Sequence, residues 1–232
     1  MCIIPPKEIE NEWARYLELR EAGLKKQANK ALLEVIEQIK KNQSSSIKEF
    51  LLALCEQGLG QSLDHKIQHP LYVQCILPLL LIGLEGKSAK EIIYIVKSNS
   101  CGYGREIFNA IGDISNLELL KIALKSEPNN REVVNLIVHD YVENLYFGAH
   151  HLPQGLIIEL SEAKNTLKES AEFILNNRSI IRDDLIEGHK YYSALYRDYE
   201  DWKNEVTEID FSQWCTTKRR KYSWVTAVYY DK

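Results

Sequence analysis

The sequence predicts an all-α fold, and three observations predict it. Apolar residues recur at three- and four-residue steps along most of the chain, three Ser-x-x-Glu segments have the form of helix starts, and Gly, Asn and Pro mark the joints between periodic stretches. The expected architecture is an irregular stack of antiparallel helix hairpins, solenoid-like but without a recurring residue period. It comprises about nine or ten helices in a single domain over residues 1–232 and closes with a short extended C-terminal arm.

The first helix is expected over Lys7 to Ala22, after Pro5 and Pro6, with Ile9, Trp13, Tyr16, Leu17 and Arg20 on one stripe and Gly23 as its C-terminal cap or hinge. A second follows almost directly, its face made of Leu24, Ala28, Ala31, Leu32, Val35, Ile36 and Ile39, so the two form an antiparallel hairpin. Ser46-Ile47-Lys48-Glu49, Ser88-Ala89-Lys90-Glu91 and Ser115-Asn116-Leu117-Glu118 each read as a capping box. The helix starting near Ser46 should stop at Gly58, Pro70 suits the first turn of the next, and Pro78 should kink or divide it. Leu71 to Leu84, about fourteen residues broken by Gln74, Pro78 and Gly83, falls short of the roughly twenty that span a bilayer and reads as a buried core helix. Shorter helices are expected at Ser88 to Lys97, Arg105 to Ile111, Ser115 to Lys125 and Asn129 to Phe147, then at Ser161 to Asn177 and Asp183 to about Glu205. Tyr222 to Tyr230 is β-branched and aromatic, the composition of an extended arm.

Composition narrows the function classes. The chain has 232 residues, 45% of them hydrophobic and 27% charged, with 29 Lys+Arg against 33 Asp+Glu and a net charge of −4. At this length folding buries roughly 70% of the unfolded chain's surface, so no disulfide or metal staple is required. The mild acidity points away from a dedicated nucleic-acid binder, which needs a surplus of cations for its phosphate contacts. Five well-separated cysteines, Cys2, Cys55, Cys75, Cys101 and Cys215, read as cytosolic thiols, with Cys55 and Cys75 inside apolar patterns and therefore buried. The N-terminus offers no signal-peptide pattern, which makes the expected location cytoplasmic.

No cofactor or metal site is expected. His65 and His69 stand four residues apart, a spacing that supplies two ligands of a metal but no third. His150 and His151 diverge as neighbours in a turn, and His139 reads as a partly buried ring at the edge of an apolar stripe. The segment Asp183 to Asp210 carries more chemistry. It holds nine acids against three bases, interleaved with Tyr191, Tyr192, Tyr196, Tyr199 and Trp202. Carboxylates steer a basic partner and aromatic rings anchor it, so Tyr192, Tyr196, Asp198, Asp201 and Trp202 are the expected partner contacts. The competing reading makes Tyr192, Leu195, Tyr199 and Trp202 the core face of a helix. The basic run Lys218-Arg219-Arg220-Lys221 is expected to neutralise that acidic helix rather than to meet phosphates.

Two resemblances attach to these residues. Residues 13–28, Trp-Ala-Arg-Tyr-Leu-Glu-Leu-Arg-Glu-Ala-Gly-Leu-Lys-Lys-Gln-Ala, resemble the opening of small helical immunity proteins from bacterial polymorphic-toxin and contact-dependent inhibition loci. The resemblance implies a non-enzymatic, cytoplasmic protein that binds one toxin domain, for instance a basic nuclease, and blocks it. It carries over no individual contact residue. Arg182 and His189 resemble the Arg and His pair of the helical HEPN ribonucleases, which implies metal-independent RNA cleavage across a dimer, although Asp183, Asp184 and Glu187 inside the pair would repel a phosphate backbone. A peptide-binding scaffold of the helical-repeat type is the third reading. The expected function is the first: an inhibitor whose partner is a basic toxin domain, bound directly, without nucleic acid or membrane.

Overall fold

The computed structural model describes residues 3–59, 67–205 and 207–223. These residues are mostly helical, with no strand among them, so the fold is all-α. Chain contacts cluster into two compact units, 1–128 and 129–232, where the sequence reading drew no boundary.

In the first unit, α1 (Glu10–Glu21) and α2 (Lys25–Lys41) form the expected hairpin. Gly23 supplies the left-handed residue that the reversal requires, at φ +72°, and the Leu24 N–H returns to the Leu19 carbonyl at 2.9 Å. Trp13 and Tyr16 on α1 and Ala28, Ala31, Leu32, Val35, Ile36 and Ile39 on α2 are buried, whereas Leu17 and Leu24 at the open edge are exposed. An Arg15–Glu34 pair at 3.0 Å bridges the outer faces. Helix α3 (Ser45–Gly58) meets α1 through an edge-on Trp13–Phe50 contact at 5.1 Å.

Next come α4 (His69–Leu71), a π-helical turn at Tyr72–Ile76 and α5 (Leu77–Glu85), continuous in the chain. Pro70 sits in the first turn, as expected. Pro78 has no N–H to bond the Gln74 carbonyl four residues back, and the helix meets that defect with the wider π turn instead of breaking. Tyr72, Ile76 and Leu80 are sealed in the core, but Ile82 is 67% exposed, so the apolar run buries one face only. Among the described residues no helix is long and apolar enough to cross a membrane. Helix α6 (Ala89–Ser98) crosses α5 at Gly83, where any side chain would collide with Glu91. A second π turn, Asn99–Tyr103, kinks at Gly102 (φ +92°) and leads directly into α7 (Gly104–Ile111), so two helices expected to be separate are joined. Helix α8 (Asn116–Ser126) closes the unit against α6.

The second unit packs α9 (Arg131–Ala149), α10 (Leu160–Asn177) and α11 (Asp183–Asn204) on one another, with the short α12 (Phe211–Thr217) on α11. Its core gathers Leu145, Ala149, Leu152, Ala163, Leu195, Tyr196, Tyr199, Phe211, Trp214 and Cys215. Of the expected C-terminal arm only Tyr222 and Ser223 fall among the described residues; the rest lies outside them.

Candidate protein-binding surface

Helix α11 is 22 residues long and carries every expected contact residue, but it does not present them together. Tyr196 is 1% exposed and its hydroxyl donates to the Leu145 carbonyl at 2.8 Å, beside Gly148, whose missing side chain makes room for the phenol oxygen. Asp198 is likewise 1% exposed. Both belong to the interior and not to an open contact surface, and the reason is periodicity: Leu195, Tyr196 and Tyr199 lie on the face that packs into the core, and Asp198 lies beside it. Asp201 is exposed, while Tyr192 and Trp202 are half-buried against the core cluster with part of each ring open. The helix therefore serves as core face and surface at once. On neighbouring α9, Tyr146 meets Tyr192 edge-on at 6.4 Å, an aromatic contact that the sequence reading did not foresee, and Phe147, next in the chain, is 58% exposed.

The acidic run is far less unpaired than its composition implies. Six of its nine acids are in ion pairs: Asp183 with Arg178, Asp184 with Arg182, Glu187 with Lys190, Asp198 with Arg220, Glu200 with Lys164 and Glu205 with Lys218. Five of those six cations lie outside the Asp183–Asp210 segment, in the preceding chain or in the basic run that follows. The aromatic faces are capped too. The Lys203 ammonium stands 4.8 Å over the Trp202 ring, and that of Lys218 stands 5.3 Å over Trp214. The Glu205 carboxyl, bonded by Lys218 and by the Trp214 indole N–H at 2.8 Å each, is held below the usual carboxylate range. Asp201 carries no ion pair among the described residues and lines an open cleft of about 390 Å³ with Asn204, Glu205, Trp214, Lys218 and Arg220.

Helix α12 was not foreseen, although Asp210-Phe211-Ser212-Gln213 has the form of a helix start; the Asp210 carboxylate accepts from the Gln213 N–H at 2.8 Å. It matters because it turns the basic run back onto α11. The expectation that this run neutralises the acidic helix holds for Lys218 and Arg220.

His189 is buried, its Nε2 sits 2.7 Å from the Ser170 hydroxyl, and burial lowers its pKa. The Arg182 guanidinium is held by Asp184 through two bonds of 3.0 and 2.8 Å. The two groups are thus engaged with different partners. His139, expected to be partly buried, is exposed and 3.9 Å from Glu143, because the helix turns it away from the Val138 side, and Asp140 is the half-buried member, its carboxyl pushed up by burial. His69 bonds Glu106 at 2.8 Å, and His65 lies outside the described residues. The adjacent His150 and His151 rings are 5.7 Å apart and tilted. Among the described residues no cluster of three or more His, Cys, Asp or Glu is arranged to hold a metal. In the first unit, Ile39, Ile47, Leu51, Cys75, Leu79 and Ile82 line a half-open apolar groove of about 330 Å³ edged by Lys40 and Lys48.

Comparison with protein-family models, curated proteins and solved structures finds no match to this chain.

Proposed function

We propose that this chain is a non-enzymatic protein-binding module: an immunity or inhibitor protein that binds a basic toxin domain and blocks it, in a bacterial cytoplasm. The observation that carries the reading is that the carboxylates and aromatic faces of α11 and α12 already take up Lys and Arg side chains, in ion pairs at 2.8–3.0 Å and over the rings of Trp202 and Trp214. A surface that holds its own cations in this way suits those of a partner. Of the expected contacts Asp201 is the open one, Trp202 and Tyr192 are partly open, Tyr146 stands beside Tyr192, and Tyr196 and Asp198 are interior.

The test is affinity capture at moderate salt followed by co-expression. A stoichiometric basic partner that is toxic alone and harmless with this chain supports the reading. With that partner in hand, Asp201→Lys lowers the association rate several-fold at low salt, the effect shrinks as salt rises, and thermal stability stays unchanged because the side chain is exposed. An unchanged association rate discards the surface. RNA cleavage by the purified chain that His189→Ala abolishes without loss of helicity replaces the reading with the ribonuclease one. The apolar groove of the first unit favours a second reading, a scaffold that seats a peptide, whose signature is binding lost in Ile82→Asp and retained in Asp201→Lys.

A further inference from the structure

Beyond α12 the chain reverses. Arg219 adopts φ +56°, a left-handed conformation that a residue with a side chain rarely takes, and the Arg220 N–H bonds back to the Cys215 carbonyl at 2.8 Å. From there residues 220–223 run without regular secondary structure along α11. Lys218 Nζ meets Glu205 at 2.8 Å, Arg220 Nε meets Asp198 at 3.0 Å, the Tyr222 hydroxyl donates to the same Asp198 oxygen, and the Ser223 N–H donates to the Tyr191 hydroxyl at 3.0 Å. The Tyr222 ring also stands edge-on to that of Tyr191 at 5.6 Å. The acceptors are spaced by seven residues, 191, 198 and 205, which places Tyr191 and Asp198 on nearly one line of α11 and Glu205 at its C-terminal cap. The groups that meet them are spaced by two, at 218, 220 and 222; residues 218–221 are all exposed and Tyr222 is half-buried.

We infer that the Tyr191–Asp198–Glu205 row of α11 and its C-terminal cap is a docking face for a basic-aromatic segment of a partner protein, of the form cation-x-Arg-x-aromatic, and that the chain's own residues 218–223 occupy it as a displaceable stand-in. The inference rests on the protein-binding reading and adds to it the chemistry of the partner segment and a step of displacement. It also accounts for Asp198, which belongs to the acidic surface in sequence and is buried in the structure: Arg220 and Tyr222 cover it. The stand-in fits imperfectly. Arg220 Nε and the Tyr222 hydroxyl both meet Oδ2, and Oδ1 is buried with no hydrogen-bond partner. A partner guanidinium that approaches with both arms of its fork engages the two oxygens together, a stronger and more directional pair than the internal one. The internal segment has the advantage of being tethered, and the partner has the better fork.

A fluorescein-labelled peptide with the sequence of residues 217–223 tests this against the full chain. Three proteins are compared: the unaltered chain, the released variant Arg220→Ala/Tyr222→Ala, and the released variant that also carries Asp198→Asn. Fluorescence anisotropy should show the released variant binding at least about tenfold more tightly than the unaltered chain, with affinity falling as salt rises, and Asp198→Asn should remove most of that gain. A peptide with Ala in place of its second Arg and its Tyr should not bind. A released variant that keeps its helicity yet binds no better than the unaltered chain overturns the proposal, as does binding that ignores Asp198→Asn. Amide hydrogen exchange on the unaltered chain guards against a variant that fails to fold. The Ser223 amide should exchange through a small opening with α11 still protected, and exchange only on global unfolding makes residues 218–223 part of the fixed structure and ends the proposal. A captured toxin that binds all three proteins equally removes this docking face and leaves the inhibitor reading standing.

Discussion

Replacing Tyr196 by Phe removes a single oxygen, and the structure predicts a loss of about 1–2 kcal/mol in unfolding free energy, because the deletion leaves the buried Leu145 carbonyl without its side-chain donor. Chemical denaturation measures that loss, and a change below a few tenths would place the hydroxyl in water instead. The same substitution should leave partner association untouched, which separates Tyr196 from Asp201. His189 makes a prediction in pH. Burial depresses its pKa below 6.5, so the unfolded chain binds its proton first as pH falls; the stability contributed by the neutral ring is complete above about pH 6.5 and is lost progressively below it, towards the lower pKa of the folded state. The melting temperature should therefore drop between about pH 7 and pH 5, and His189→Gln should flatten part of that drop. An identical slope in the variant would assign the pH dependence to other groups. At this scale the sequence is a good guide to which residues are apolar or charged and a poor one to which charges are already paired, since the cations on Asp198 and Glu200 come from Arg220 and Lys164, at separations of 22 and 36 residues that no local pattern reveals.

Helix starts put the elements to the same test. Three Ser-x-x-Glu segments look alike in sequence, but only Ser115–Glu118 closes both arms of the box, with the Ser115 oxygen accepting from the Glu118 N–H at 3.2 Å and the Glu118 carboxylate accepting from the Ser115 N–H at 2.9 Å. At Ser46 the helix has already begun, because Ser44 is its cap. Ser88 stands at the cap position of α6, yet its hydroxyl bonds the Glu91 carboxylate and no backbone N–H. Ser115→Ala should thus cost about 1 kcal/mol, whereas Ser46→Ala should cost a few tenths at most. Equal costs in denaturant titrations would show that the capping geometry does not separate the two. Long amphipathic helices such as α2, α9 and α11 were legible within a residue or two, since their periodicity is repeated over several turns. The π turns were not, because each reflects how a continuing helix tolerates Pro78 or Gly102, which local signals read as a break. Helix α12 has seven residues, fewer than two full turns, too few for a period to emerge, and the reversal at Arg219 occurs at a residue that carries no turn signature at all.

Over the whole molecule, the thiols report on both units at once. Cys55 and Cys75 lie buried in the first unit and Cys215 in the second, and burial raises the thiol pKa of Cys55 to about 12 and of Cys75 and Cys215 to about 11; Cys101 is only partly buried. Because the thiolate is the reactive form, each of the three is protected twice, by inaccessibility and by a thiolate population that is very small near neutral pH. In a Cys2→Ser chain at mildly alkaline pH, a disulfide reagent should label Cys101 first, and the three buried thiols should react only as fast as the surrounding helices open. Cys215 adds a link to the docking face, since it stands in the field of Asp198 and Arg220 and its carbonyl holds the turn that brings Arg220 into place. A bound basic partner that stabilises the second unit should slow Cys215 and leave Cys55 and Cys75 unchanged, because binding to the native form suppresses only the openings that destroy the bound surface. Mass spectrometry of labelled peptides resolves the sites individually. Slowing at Cys55 alone would move the partner to the first unit and its apolar groove, and Cys215 reacting as fast as Cys101 in the folded chain would mean that α12 does not pack on α11 in solution.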